Sequence, residues 1–142
     1  MITWLVDTGP LVAYLDASDQ AHDEVVQRWD GFSGHLATTS AVITEAMHFV
    51  SASAEGATNL AELVTASSME VFDLTQAPEL REAAALMKRY ADTPMDFADA
   101  TLVLLAEAIH VYDILTLDRR GFAVFRTRQN RVLQNMLDVN GS

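Results

Sequence analysis

Short apolar runs alternate with longer stretches of helical periodicity along the chain. Residues 2–6 are rich in strand formers and end at Asp7-Thr8-Gly9-Pro10, which predicts a buried strand followed by a turn. Apolar positions then recur at helical spacing (Leu11, Ala13, Tyr14, then Val25, Val26, Trp29) with a break at Ser18-Asp19, so two successive helices are expected. Residues 35–38 read as a brief strand. Thr39 and Ser40 offer capping oxygens, and Val42, Ile43, Ala46, Met47, Phe49 and Val50 form the next helical stripe. A helix over 56–67, a strand over 69–74 and a helix over 78–90 follow, with Pro78 suited to the first turn. Beyond Pro94 the pattern predicts a helix over 96–109, a buried strand over 114–117 closed by Asp118-Arg119-Arg120-Gly121, and a last strand over 122–125.

Strands separated by helices pair in parallel, because a parallel neighbour needs a crossover of a dozen or more residues, and such crossovers lay helices on both faces. The expected class is therefore α/β, in three α/β/α layers around a mainly parallel sheet. No repeat, low-complexity tract or linker divides the 142 residues, which read as a single domain over 1–142 whose last ten or so residues form a tail.

Composition narrows the chemistry. The absence of cysteine excludes disulfides, thiolate metal sites and a cysteine nucleophile, and suits a reducing cytoplasm. No run approaches the roughly 18 apolar residues of a membrane span, and Asp7 interrupts the amino-terminal apolar run at once, so neither a membrane nor a secretory role is expected. A net charge of −11 argues against a chain that holds nucleic acid by a general positive field. The charge is unevenly spread, however. Residues 119–142 hold five arginines against one aspartate, net +4, which leaves −15 on residues 1–118.

The candidate chemistry is carboxylate chemistry. Asp7 and Asp118 each follow a short apolar strand, and open α/β sheets bind ligands beyond the carboxyl ends of their strands. Each would serve equally well to start a turn. Glu45 shares the stripe of Val42, Ala46 and Phe49, so it either faces the sheet or reaches water from the stripe's edge. Asp96 and Asp99 stand at the amino end of the 96–109 helix, where they either form a capping box or add to an acidic site. Taken together, two strand ends and two helix starts would bring these acids to one rim. Like charges about 5 Å apart repel by roughly 3 kcal/mol at an effective dielectric near 20, so the cluster needs protons or a cation. Oxygen-only ligands select Mg²⁺ or Mn²⁺.

At these residues the sequence resembles the PIN-domain family, and specifically the toxins of VapBC-type toxin–antitoxin modules. Val6-Asp7-Thr8-Gly9-Pro10-Leu11 resembles the family's opening strand and first acid, and residues 40–45 its second. Pro94-Met95-Asp96-Phe97-Ala98-Asp99 resembles the third, and Leu115-Thr116-Leu117-Asp118-Arg119-Arg120-Gly121-Phe122 the fourth. The resemblance implies a five-stranded parallel sheet and a Mg²⁺-dependent (or Mn²⁺-dependent) endoribonuclease. In it Asp7, Glu45, Asp99 and Asp118 form the acidic site, with Asp7, Asp99 and Asp118 as metal ligands and Asp96 and Thr116 as auxiliaries. It further implies a homodimer neutralised by a small antitoxin. Arg119 and Arg120 are candidates for substrate phosphates, or else part of a solvated basic face. Gly121 departs from the polar or acidic residue of many relatives, with an effect expected on a turn.

Two other classes are open. Glu45-x-x-His48 and Glu107-x-x-His110 are Glu-x-x-His pairs of the kind that hold a carboxylate-bridged di-iron centre in helical bundles. A non-catalytic PIN-like domain that only binds or regulates partners is the other. A phosphoryl-accepting regulatory domain is disfavoured, since Lys88 is the only lysine.

Overall fold

The computed structural model describes residues 1–139. Five strands and seven helices alternate: β1 (Thr3–Val6), α1 (Thr8–Leu15), α2 (His22–Asp30), β2 (His35–Thr39), α3 (Ser40–Val50), α4 (Gly56–Ala66), β3 (Glu70–Phe72), α5 (Ala77–Arg89), α6 (Phe97–Ile109), β4 (Asp113–Leu115), α7 (Arg119–Val124) and β5 (Gln134–Asn135). The strands form one sheet in the order β3-β2-β1-β4-β5, and all four pairings are parallel. Adjacent residues of a strand point to opposite faces, yet Leu5 and Val6 in β1 and Ile114 and Leu115 in β4 are all fully buried. Both faces of the sheet's centre are therefore covered, as the alternation of elements predicted.

Local chemistry explains the boundaries. Thr39 caps α3 by accepting from the Val42 amide, and Gln76 and Glu79 close a capping box on α5, which carries Pro78 in its first turn. Helix α6 is buried from Ala98 through Glu107, so it has no solvent face and forms the centre of the core. His110 ends it in a left-handed conformation at φ 55°.

Two expectations at the carboxyl end are corrected. Residues 122–125 are not a strand: Asp118 caps a short helix there, α7, and Phe122 and Phe125, three apart, both turn into the core. The fifth strand lies instead at Gln134–Asn135, inside the segment expected to be a tail, where Leu133 and Met136 are buried. Two paired residues are too short for any periodicity to announce. The remainder of the expected tail, residues 140–142, lies outside the described residues.

The sheet order places the functional question. The chain winds outward from β1 through β2 to β3, and on the other side from β4 to β5, so the direction switches between β1 and β4. Ligands of open parallel sheets bind beyond the carboxyl ends of strands at such a switch.

Candidate active site

Beyond the carboxyl ends of β1 and β4 lies an open cleft of about 380 Å³, lined by six acids: Asp7, Asp19, Glu45, Asp96, Asp99 and Asp118. Thr8, Gly9, Val12, Phe49 and Leu117 complete its walls. Asp7, Glu45, Asp96, Asp99 and Asp118, the acids that the sequence set at strand ends and helix starts, thus line one cleft, whereas Glu107 does not.

Asp7 leaves β1 and caps α1, and it is only 6% exposed. Its Oδ1 accepts from the Thr8 amide (2.8 Å) and its Oδ2 from Thr116 Oγ1 (2.7 Å). Burial raises its pKa to about 6, opposed by those two hydrogen bonds and assisted by the charges of Asp96 and Glu45. Asp99, 9% exposed, sits at the third position of α6. Its Oδ2 accepts from the Asp96 amide while Asp96 Oδ1 accepts from its own, so both the capping and the clustering readings of this pair hold at once. Burial, and then the charges of Asp7 and Asp96, raise the Asp99 pKa to about 8. Glu45 is half-buried on α3, facing the cleft, and burial raises its pKa as well.

Asp118 is exposed, and its Oδ1 accepts from the Gly121 amide at 3.0 Å. A Cβ at residue 121 would fall 2.3 Å from Asp118 Oδ2, so glycine there leaves room for the carboxylate. Thr116, fully buried, joins the two strand ends: it donates to Asp7, and its Oγ1 accepts from the Asp118 amide at 3.0 Å.

The donor set suits a hard divalent cation. The lining offers oxygen donors and no histidine, and burial, with the neighbouring carboxylates adding to it, makes the charged forms of Asp7 and Asp99 costly without a counter-charge. Thr8 Oγ1, buried in the same wall, faces the Glu45 carboxylate, whose pKa it lowers against the upward pull of burial. Among the described residues, no three acidic or histidine side chains already converge on one ion-sized point. The fit is one of chemistry and placement, with Asp96 and Asp118 exposed at the mouth.

Other sequence candidates fall elsewhere. Arg119 does not line the cleft; its guanidinium is held by Asp138 (2.7 Å) and Glu24 (3.2 Å). Arg120 is exposed and also outside the lining. Of the remaining arginines of the basic segment, Arg126 donates within the segment itself, to the carbonyls of Ala123, Val124 and Phe125, while Arg128 and Arg131 fasten the segment to the body: Arg128 pairs with Glu107 and Glu82, and Arg131 lies 3.6 Å over the Tyr112 ring. The di-iron reading fails on the same ground. Glu107 is buried against Arg128, His110 ends a helix, and a five-stranded sheet replaces the bundle.

Two lining residues escaped the sequence reading. Asp19 was seen only as a break between helices. Phe49 was placed on a buried stripe, yet it is 57% exposed at the lip of the cleft. Its stripe runs one position past the edge of the core, which periodicity alone does not reveal.

Known proteins share the family and the fold of this chain. The PIN-domain family profile matches residues 4–126. Ribonuclease VapC26 of Mycobacterium tuberculosis (strain ATCC 25618 / H37Rv) is 32% identical over 124 residues, covering 86% of this chain and 91% of the relative. The crystal structure of VapC20 from Mycobacterium tuberculosis, described as a sarcin–ricin loop cleaving toxin, matches with a TM-score of 0.75 at 18% identity, over 84% of this chain and 92% of that one. VapBC2 from Rickettsia felis, bound to a DNA fragment from its promoter, matches with a TM-score of 0.63 at 18% identity, over 94% and 98%. The structural likenesses speak for the fold, and the profile and the VapC26 relationship for descent. With that relationship spanning most of its length, this chain belongs to the PIN-domain family, in the company of the VapC ribonucleases.

Proposed function

We propose that the chain is an endoribonuclease that hydrolyses RNA phosphodiesters with Mg²⁺ or Mn²⁺ in the acidic cleft, and that it is the toxin of a toxin–antitoxin pair. The observation that carries this reading is the gathering of six acids at the switch between β1 and β4, the two most buried of them with raised proton affinity. The substrate class comes from the relatives: VapC26 is named a ribonuclease, and VapC20 is described as a toxin that cleaves the sarcin–ricin loop. The partner class comes from VapBC2. A homodimer and a cytoplasmic location belong to the same reading.

A divalent ion bound here would supply a Lewis acid that lowers the pKa of water and stabilises charge on phosphoryl oxygens. Asp7 and Asp99 are assigned as its principal ligands, because burial gives their oxygens most to gain from a cation. Asp118, at the mouth, would hold it as a third ligand, and Glu45, in the same lining, would orient water for attack. Asp96 holds Asp99 through the reciprocal cap, and Thr116 aims the Asp7 carboxylate. Of the two arginines after Asp118, Arg120 is assigned to substrate phosphate, since Arg119 is occupied by Glu24 and Asp138.

The decisive experiment is cleavage of a mixed RNA pool by the purified chain with Mg²⁺, Mn²⁺ or EDTA, beside Asp7→Asn and Asp99→Asn. Metal-dependent fragments, lost by about a hundredfold or more in both variants, are expected. RNA left intact by the wild type under every metal, or cut equally by the variants, would replace this reading with that of a binding domain.

A further inference from the structure

Asn135 lies in the short strand β5, half-buried and outside the lining of the acidic cleft. In the parallel β4–β5 ladder, the Gln134 amide donates to the Tyr112 carbonyl (2.7 Å) and the Met136 amide to the Ile114 carbonyl (2.8 Å). One further step of such a ladder would join the Thr116 amide to the Met136 carbonyl and the Asp138 amide to the Thr116 carbonyl. That step is missing, because the chain turns: the Met136 carbonyl accepts from Arg28 Nε (2.7 Å), and the Asp138 amide donates to the Asn135 carbonyl (3.1 Å).

The Asn135 side chain takes the place of the missing step. Its Oδ1 accepts from the Thr116 amide (3.4 Å) and its Nδ2 donates to the Thr116 carbonyl (3.1 Å), so one primary amide meets both groups as a neighbouring strand would. The same side chain is anchored from the turn, where Oδ1 accepts from the Leu137 amide (3.1 Å) and Nδ2 donates to Asp138 Oδ2 (3.4 Å). Thr116 is fully buried one residue past the end of β4, and its hydroxyl is the link between Asp7 and the Asp118 loop. On its other side, the Asp7 amide donates to the Leu115 carbonyl at 3.0 Å. The direction of the Thr116 hydroxyl depends on a backbone held from both strands.

We propose that Asn135 is a positioning residue of the acidic site, its side-chain amide fixing Thr116 and through it the carboxylate of Asp7 and the loop of Asp118. It touches neither substrate nor ion. The inference rests on the nuclease reading for its effect on rate, but its effect on cation binding does not. A donor and an acceptor on one short side chain are both needed. Aspartate keeps the acceptor and sets a charge against the Thr116 carbonyl and Asp138, while alanine removes both bonds.

The test uses the full chain as Asn135→Ala and Asn135→Asp, with Gln134→Ala, an exposed neighbour on the same strand, as control. Mn²⁺ affinity is measured without RNA by calorimetric titration, and RNA cleavage is resolved into kcat and KM. The expected result is Mn²⁺ binding weakened severalfold and kcat lowered about tenfold in both Asn135 variants, KM within about twofold of wild type, and Gln134→Ala unchanged. Folded Asn135 variants that keep wild-type Mn²⁺ affinity and kcat would overturn the proposal. Should the variants not fold, NMR of the wild type decides. The proposal expects the Asn135 side-chain amide to be protected from exchange and to shift with the Thr116 amide at one Mg²⁺ midpoint; an Asn135 amide exchanging at the solvent rate and indifferent to Mg²⁺ would sink it. A wild type that binds Mn²⁺ but cuts no RNA would remove the nuclease reading, and the Mn²⁺ titration would still decide the role of Asn135.

Discussion

Thr116 shows how one side chain couples two acids. Its hydroxyl donates to Asp7 Oδ2, a bond that favours the ionised carboxylate and restrains the upward pull of burial. Thr116→Val keeps the shape and removes the donor. Asp7 then holds its proton to higher pH, so the acidic limb of the rate profile should move upward and kcat at neutral pH fall about tenfold; an unmoved limb would mean that Asp7 does not govern it. Gly121 makes a second case. Gly121→Ala sets a methyl where Asp118 Oδ2 now lies, so the carboxylate must swing away. Calorimetry should record weaker Mn²⁺ binding by severalfold, with a drop of a few degrees in Tm because the Asp118 cap of α7 is lost as well, at about 1 kcal/mol.

Among the elements, α6 does two jobs at its two ends. Its amino end presents Asp99 to the cleft, and its carboxyl end receives the last segment of the chain through Glu107. That carboxylate is 7% exposed and accepts from both the backbone amide and Nε of Arg128. Arg128→Ala leaves the buried carboxylate with the backbone donor alone. A full loss of a buried partner costs about 3–5 kcal/mol, but Arg128 is itself half-exposed, so about 2 kcal/mol is expected. Thermal unfolding should show a drop of several degrees in Tm, while kcat per folded molecule stays within about twofold, since Glu107 lies outside the cleft lining. A large loss of kcat without loss of stability would show that the latch serves the site instead.

At the scale of the whole molecule, the acidic site sets a pH dependence of stability. Asp7 and Asp99 titrate near 6 and 8 in the folded chain against an ordinary 3.8. Between these values the folded state binds more protons than the unfolded, so the stability that the two groups contribute is full below about pH 4 and is lost as pH rises through 6 to 8. The metal-free chain should accordingly lose Tm across that window. Mg²⁺ or Mn²⁺ replaces the protons, so the rise in Tm on adding metal should be larger at pH 8 than at pH 5, and binding should release protons into the buffer. A metal effect on Tm independent of pH would mean that these carboxylates are not where the ion goes.

Much of this was legible before any coordinates. The buried strands ending at Asp7 and near Asp118, the long apolar helix behind Asp96 and the helix carrying Glu45 follow from local periodicity and caps, which depend on residues a few positions apart. Those features sufficed for a parallel α/β fold and for placing acids at strand ends and helix starts, whereas Asp7, Glu45, Asp99 and Asp118 were named as one site through the resemblance to the PIN-domain family. What the sequence did not disclose depends on contacts between distant segments. A two-residue strand at Gln134–Asn135 has no period, and β4 has to be in place before it exists. Residues 122–125 carry strand-like composition, but the Asp118 cap and the core behind Phe122 and Phe125 turn them into a helix. Arg119 looks like a phosphate ligand until Glu24, 95 residues earlier, is found beside it. The residue types of the site were written in local pattern, whereas which of them are buried, raised in pKa and aimed at one another was decided by the packing of β1 against β4, because desolvation and hydrogen-bond direction exist only once the chain has closed on itself.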